Sequence, residues 1–154
     1  MEAIIAGGIA VLGTLLGSGI TLVFQQRAVD KSHDFTQKER LRQERLDAYS
    51  AYASALINYR RCLVHLWFCR HEQTPPEDAE EVRARSYDLR TRAQEAMLRV
   101  VLLTGDESLS EAARAILDDI ASLYKADSRE EFDDRRSYTG NSIGRLIGMS
   151  KRHL

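Results

Sequence analysis

The chain has 154 residues, enough for one domain of ordinary size, with 22 basic and 23 acidic side chains and a formal net charge of -1. This balance excludes the strongly basic class of nucleic-acid-binding proteins and the acidic class of disordered chains, so we expect no nucleic acid as a partner. The charges are unevenly placed, because none occurs between Glu2 and Arg27, and five of the nine glycines lie within the first 19 residues. The amino-terminal segment is therefore an uncharged, glycine-rich segment, which distinguishes it from the charged remainder of the chain.

Residues 3–24 form an uncharged segment of 22 residues. As a helix this segment would be roughly 33 Å long, which matches a hydrocarbon layer of about 30 Å. A buried strand would end within about eight residues, and a cleaved signal would begin with basic residues. We therefore predict a retained transmembrane helix over 1–27, with the lipid bilayer as a partner. Because the basic residues follow the span, we expect a single-pass protein of the cell (inner or plasma) membrane with its N-terminus outside.

Small residues line one side of this predicted span. Close approach of helix backbones along small residues is the usual means of association in lipid, and the Gly13-x-x-x-Gly17 spacing is typical of it. The arc is roughly 140° wide, so it could contact two neighbours, as a ring of protomers requires. The chain is thus expected to form a homo-oligomer through Ala6, Ala10, Gly13, Thr14, Gly17, Ser18 and Thr21.

Two further regions follow the span. Residues 28–45 are too polar to bury and are predicted to form a charged helical stalk. From residue 46, apolar side chains recur at intervals of three and four, among them Leu46, so residues 46–154 are predicted to form a cytoplasmic antiparallel helical bundle. The predicted fold class is all-α: an N-terminal transmembrane helix that continues into a stalk and this bundle.

The capping pattern predicts where the later helices begin. Thr74 with Glu77 predicts a helix over 75–103 that Gly105 ends, and Ser108 with Glu111 predicts a helix to about residue 125. A further helix is expected from Ser128, which lies three residues before Glu131. The glycines that follow, Gly140, Gly144 and Gly148, leave two alternatives open: a close-packed helix or a loose tail.

Reactive residue types gather in "RRCLVHLWFCRH", where Cys62, His65 and Cys69 lie on one predicted helix face. Thiolate and imidazole are good zinc ligands, but residues seven apart on a helix are separated by about 10.5 Å, too far for one zinc ion without a second helix. We therefore interpret the cysteines as reduced core residues and expect no metal. No phosphate-binding loop, dinucleotide fingerprint or HExxH motif occurs, so no cofactor is expected.

Arg60 and His65 are spaced as Arg, four residues, His, which resembles the metal-independent ribonuclease motif of HEPN domains. The resemblance implies that these two residues would be the catalytic pair. The position after the arginine departs from that family's pattern, because it is Arg61 rather than a polar uncharged or acidic residue. Both residues also lie in the middle of a predicted helix, among core positions.

The first 60 residues resemble those of the small single-pass membrane proteins of actinobacteria, in which a glycine- and alanine-rich span is followed by a charged stalk. The matching residues after the span are Glu44, Arg45, Ala48 and Tyr49. In layout alone, the chain is also similar to membrane-anchored helical accessory proteins of antiviral systems, which assemble into rings. These resemblances imply a topology and no activity.

Three functional hypotheses follow from the sequence. The first is a non-enzymatic, homo-oligomeric membrane scaffold or adaptor whose cytoplasmic bundle binds another protein. The second is a ring-forming pore or channel-like effector, with a role in antiviral defence, whose axis is lined by Thr14, Ser18 and Thr21. The third is a membrane-tethered ribonuclease that uses Arg60 and His65.

Overall fold

The computed structural model describes the backbone of residues 2–72 and 78–154 and the side chains of residues 35–72 and 78–154. These parts contain four α-helices, two short 3₁₀ turns and no strand, which confirms the all-α class for the described residues. The helices are α1 (Glu2–His71), α2 (Ala79–Leu103), α3 (Glu107–Ala121) and α4 (Arg129–Ser150), and the 3₁₀ turns are Leu123–Lys125 and Lys151–His153.

The chain divides into two compact units, Met1–Leu41 and Arg42–Leu154. In the first unit, the described side chains, residues 35–41, are all exposed. Within the part of the chain whose residues are described, no helix combines the length and the apolar character that a membrane span needs. The predicted transmembrane helix over 1–27 and all residues of its small-residue arc lie outside the described side chains.

The second unit is an antiparallel bundle, and contacts between the helices define its topology. The part of α1 that belongs to this unit begins beside the end of α2, where Arg45 Nε donates to the Leu103 carbonyl oxygen at 3.0 Å. The end of α1 pairs with the start of α4, where Trp67 stacks on Phe132 with ring centroids 4.1 Å apart. Tyr52 links α1 to α3 by donating to the carbonyl oxygen of Ala113 at 2.6 Å. The helical bundle predicted from the apolar spacing is therefore confirmed.

Aspartate and serine side chains cap the helices of the bundle. Asp78 caps α2 by accepting from the Glu80 amide, and Asp106 caps α3 by accepting from the Leu109 amide. The predicted starts of these helices at residues 75 and 108 are therefore wrong, because an aspartate at a different position satisfies the first free amides. Ser128 does cap α4, accepting from the Glu131 amide at 3.2 Å, as its spacing predicted.

The structure decides two questions about glycine: whether Gly105 ends α2, and whether α4 is helical through its glycines. Thr104, in extended conformation, ends α2 and its amide donates to Val100, while Gly105 does not adopt the left-handed conformation of a glycine stop. In α4 the helix runs through Gly140, Gly144 and Gly148 to Ser150, so the helical alternative is the observed one.

The core is formed mainly by one face of α1 together with α3. The apolar spacing of α1 predicted most of it, since Tyr49, Tyr52, Leu56, Leu63 and Trp67 are all less than one-tenth exposed. Leu46 was expected in the core and is 42 % exposed. It lies at the end of the bundle, where too few neighbouring side chains remain to cover it.

Candidate functional site

A groove between α1 and α2 collects charged and reactive side chains. Its volume is about 620 Å³. It is lined from α1 by Asn58, Arg61, Cys62 and His65, and from α2 by Arg85, Asp88, Leu89 and Arg92. The lining contains three arginines and one aspartate, so the charge of the groove favours an anionic ligand.

The two walls of the groove have the same helical spacing. On α1 the lining positions are 58, 61, 62 and 65, and on α2 they are 85, 88, 89 and 92. Residues three, four and seven apart share one face of a helix, so each wall is a stripe two turns long. The groove is therefore a consequence of two matched stripes on helices that pack side by side.

Buried contacts next to the groove hold the two helices together. The Cys62 thiol donates to the carbonyl oxygen of Val82 at 3.6 Å, and Val82 is fully buried. Tyr59, also buried, is hydrogen-bonded to Arg90 of α2. These contacts fix the distance between the walls, so the groove is formed before any ligand binds.

The Cys62 thiol is poorly suited to nucleophilic or metal chemistry. Burial raises its pKa above the ordinary range, although Arg85 and Arg61 act in the opposite direction. Because the thiolate is the reactive form, a thiol with a raised pKa stays protonated and inert at neutral pH. The structure places Cys62 in the core, with 7 % of its surface exposed.

His65 and Cys69 lie one turn apart on α1, with the Cys69 Sγ 3.8 Å from the His65 Nε2. Cys69 is as buried as Cys62, whereas His65 is partly exposed and lines the groove. Over the residues that the structure describes, no group of three or more histidine, cysteine or carboxylate side chains could hold a metal ion.

Arg60 and His65 face different helices of the bundle. Arg60 Nε donates to the Thr139 hydroxyl at 3.1 Å, and its Nη2 donates to the Arg136 carbonyl oxygen at 2.7 Å, so it is bound to α4. Burial, with a smaller effect of Arg136, lowers the pKa of Arg60. His65 lies on the α2 side of the same helix. The structure therefore does not bring the two residues of the HEPN-like motif to one site.

The groove arginines of α2 were not predicted as site residues. Arg85, Asp88 and Arg92 lie within the helix predicted over 75–103, where charged side chains on the exposed face are normal and indicate no site. Their spacing matches that of Asn58, Arg61 and His65 on α1. The equal spacing could have indicated a shared site, but only if the packing of the two helices against each other had been known.

The part of the chain that is similar to a known protein family is the bundle. A family model described as KilB plasmid transfer protein matches residues 46–154. The chain belongs to the KilB family. Comparisons with curated proteins and with solved structures find no match.

Membership of the KilB plasmid transfer family indicates a plasmid-associated role. The match covers the groove and all of the bundle helices from residue 46 onward. The resemblance to actinobacterial membrane proteins rested instead on the first 60 residues, and the comparisons give no indication of that group. The relationship that bears on function is therefore the one to the KilB family over residues 46–154.

Proposed function

We propose that this member of the KilB family is a non-enzymatic scaffold for plasmid transfer, anchored in the cell membrane, whose cytoplasmic bundle acts as an adaptor for another protein. The observation that carries the proposal is the family match over residues 46–154, the region that contains the arginine-lined groove. Membrane anchoring and homo-oligomerisation are proposed from the sequence of residues 1–27, namely its uncharged span and its arc of small residues.

The groove fits an acidic segment of a partner protein. Arginine forms bidentate, charge-assisted hydrogen bonds with carboxylates, and Arg61 and Arg92 offer two such groups along the two turns, while Arg85, which is hydrogen-bonded to Cys62, adds a third positive charge. Each of these bonds contributes about 1.5–3 kcal/mol when its partner is charged. The single Asp88 would repel an acidic ligand at one point and so favour one register of binding.

A charge-reversal experiment tests the adaptor role. In the full chain, Arg61→Glu with Arg92→Glu should lower plasmid transfer frequency by about tenfold or more, because two charge-assisted bonds become repulsive. The matched control is Arg114→Glu, an exposed arginine of α3 outside the groove, which forms an ion pair with Glu107 at 3.3 Å. Equal transfer by the two variants, at equal protein levels, would contradict the role of the groove.

Photo-crosslinking identifies the class of partner. A photoreactive residue at Asn58, an exposed position of the groove wall, should capture an acidic segment of another protein in cells that carry the plasmid. The capture should be lost with Arg61→Glu and Arg92→Glu. Capture of DNA in its place would refute the adaptor hypothesis, since it would make the chain a nucleic-acid-binding protein.

Self-assembly is tested by native mass spectrometry of the detergent-solubilised chain. The scaffold hypothesis predicts an oligomer that dissociates with Gly13→Ile and Gly17→Ile, because bulky side chains separate the helix backbones. A monomer unaffected by these changes would contradict it. Ion flux through liposomes that is abolished by Thr14→Leu and Ser18→Leu would favour a pore instead.

The non-enzymatic assignment is tested with RNA. The purified chain should leave single-stranded RNA intact, and His65→Ala should change nothing. RNA cleavage that disappears in His65→Ala would establish the ribonuclease alternative, with Arg60 as the second candidate residue.

A further inference from the structure

One end of the bundle brings together segments that are distant in the chain. Arg45, near the start of the bundle part of α1, donates to the carbonyl oxygens of Leu103, the last residue of α2, and of His153, which follows α4, at 3.0 and 3.4 Å. The His153 Nε2 lies 3.1 Å from the carboxylate of Asp106, which caps α3. This region is called the Arg45 end and consists of residues 42–46, 98–107 and 147–154.

Exposed apolar side chains are concentrated at the Arg45 end. Leu102 is 84 % exposed and Leu98 is 55 % exposed, although the opposite face of α2 is buried. The exposed large apolar residues of this end are Leu46, Leu98, Leu102, Ile147 and Leu154. In the rest of the bundle unit that the structure describes, the exposed ones lie on three different helices: Ile57, Tyr87 and Tyr138. Single exposed apolar residues are normal on a protein surface, whereas a group of them indicates an interaction surface.

These apolar side chains all lie close to the tip of the bundle. Leu98 is five residues before the last residue of α2, and Ile147 is three residues before that of α4, which corresponds to about 7.5 and 4.5 Å along a helix. Leu46 is four residues after Arg42, where the bundle unit begins. Helices at a membrane surface bury their apolar residues about 5–10 Å into the boundary between headgroups and acyl chains. The apolar residues of the Arg45 end therefore lie within the depth that a lipid surface can take up.

The unpaired charges of the Arg45 end are positive. Arg99, Lys151 and Arg152 are exposed, and none of these three side chains has an ion-pair partner in the part of the chain that the structure describes. The carboxylates of this end, by contrast, all have partners within the chain: Glu44, Asp106 and Glu107. The charge that remains available to a ligand therefore favours an anionic surface.

From the exposed apolar side chains and the unpaired positive charges at one tip of the bundle, we infer that the Arg45 end binds the surface of an anionic lipid bilayer. Apolar contact and attraction to anionic headgroups act together in such binding, and the cytoplasmic leaflet is the anionic one. The apolar residues project from α1, α2 and α4 around the tip, which a broad surface covers more completely than a single protein groove does. The inference rests on the proposed function only in that membrane anchoring brings this end close to lipid.

The test measures contact between the Arg45 end and lipid in the full chain, reconstituted in vesicles of equal parts phosphatidylcholine and phosphatidylglycerol. A fluorophore is attached at Gly105→Cys, where an added Cβ meets open space, and reacts selectively because both native cysteines are buried. Spin-labelled lipid should quench this fluorophore. A fluorophore at Asp127→Cys is the control, because Asp127 is exposed and follows Ala126, which binds Trp67 at the opposite end of the bundle.

Two pairs of substitutions separate the electrostatic and apolar contributions. Each basic residue near an anionic surface contributes about fivefold, so Lys151→Gln with Arg152→Gln should lower the docking constant from the quenching data about 25-fold. Leu98→Ser with Leu102→Ser should also lower it, and it should leave folding intact because both leucines are already exposed. The matched control is Arg70→Gln with Lys125→Gln, two exposed charges at the opposite end, which should change nothing.

Extraction with alkaline carbonate reports separately whether the amino-terminal segment anchors the chain, so the two proposals fail in different ways. A chain that carbonate releases, but whose Gly105 fluorophore is quenched by the vesicles, would contradict the anchor and support the lipid contact. A Gly105 fluorophore that is quenched no more than the one at Asp127, in a chain that resists carbonate, would overturn the inference. Equal quenching in vesicles of phosphatidylcholine alone, or an equal loss with the Arg70 and Lys125 control, would also overturn it.

Discussion

Removing the Tyr49 hydroxyl should stabilise the bundle, whereas removing the Tyr52 hydroxyl should destabilise it. Both tyrosines lie on α1, three positions apart, and both are more than nine-tenths buried. They differ in one respect: Tyr52 donates to the Ala113 carbonyl oxygen at 2.6 Å, while the Tyr49 hydroxyl has no partner in the described part of the chain. The same chemical change therefore has opposite expected signs.

The magnitudes follow from the contacts. A buried polar group without a partner costs about 1–3 kcal/mol, so Tyr49→Phe should raise the free energy of unfolding by about that amount. Tyr52→Phe removes one hydrogen bond and should lower it by about 0.5–1.5 kcal/mol. The Ala113 carbonyl lies inside α3 and keeps its helical partner, so no further penalty is expected.

Urea unfolding measures the difference, because Trp67 is the only tryptophan of the chain and is buried in the bundle. The two changes have opposite signs, so the variants differ by about 1.5–4.5 kcal/mol, and with an m-value of about 2 kcal/mol/M their midpoints are about 0.8–2.2 M apart. If Tyr49→Phe lowers the midpoint as much as Tyr52→Phe does, the Tyr49 hydroxyl has a partner in solution and the reasoning fails.

Two further predictions concern α4 and the start of α3. Gly144→Ala should stabilise the chain by about 1 kcal/mol, because the added Cβ meets open space and alanine favours helix. Gly140→Ala should stabilise it less, since the added Cβ would lie 3.3 Å from Arg60 Nη2. The urea unfolding midpoints of the two variants measure the difference. Hydrogen bonds from Ser108 and from the Leu109 amide, with a smaller effect of His153, lower the pKa of Asp106 below 3.8. The stability it contributes is present above that pH and lost below it, so Asp106→Asn should show a smaller midpoint change between pH 7 and pH 3 than the wild-type chain.

The sequence predicted the fold well where local patterns decide it. The apolar spacing of α1 identified Tyr52, Leu56 and Leu63 as core residues, and Ser128 with Glu131 marked the start of α4. The sequence did not predict the start of α3, where two neighbouring side chains could each cap the helix. Asp106 and Ser108 can each cap a helix, and the structure uses Asp106, to which the Ser108 hydroxyl donates at 2.6 Å.

The sites were less predictable because they depend on the packing of helices that are distant in the chain. Arg60 and His65 are five positions apart, which turns them about 140° from each other on a helix. That angle places Arg60 against α4, where Gly140 leaves room for its guanidinium, and His65 against α2. A linear motif on one helix therefore does not define a site unless a second element brings its residues together.

The distance between Tyr49 and the groove along α1 yields one more prediction. Tyr49 and Arg61 are 12 residues apart, which corresponds to about 18 Å along a helix. Changes separated by more than about 10 Å and sharing no partner usually have additive effects. Tyr49→Phe should thus leave crosslinking at Asn58 unchanged. If Tyr49→Phe changes the crosslinking yield at Asn58 at equal protein levels, packing at this end of the bundle is coupled to the groove through α1, and the assumption of additive effects is wrong.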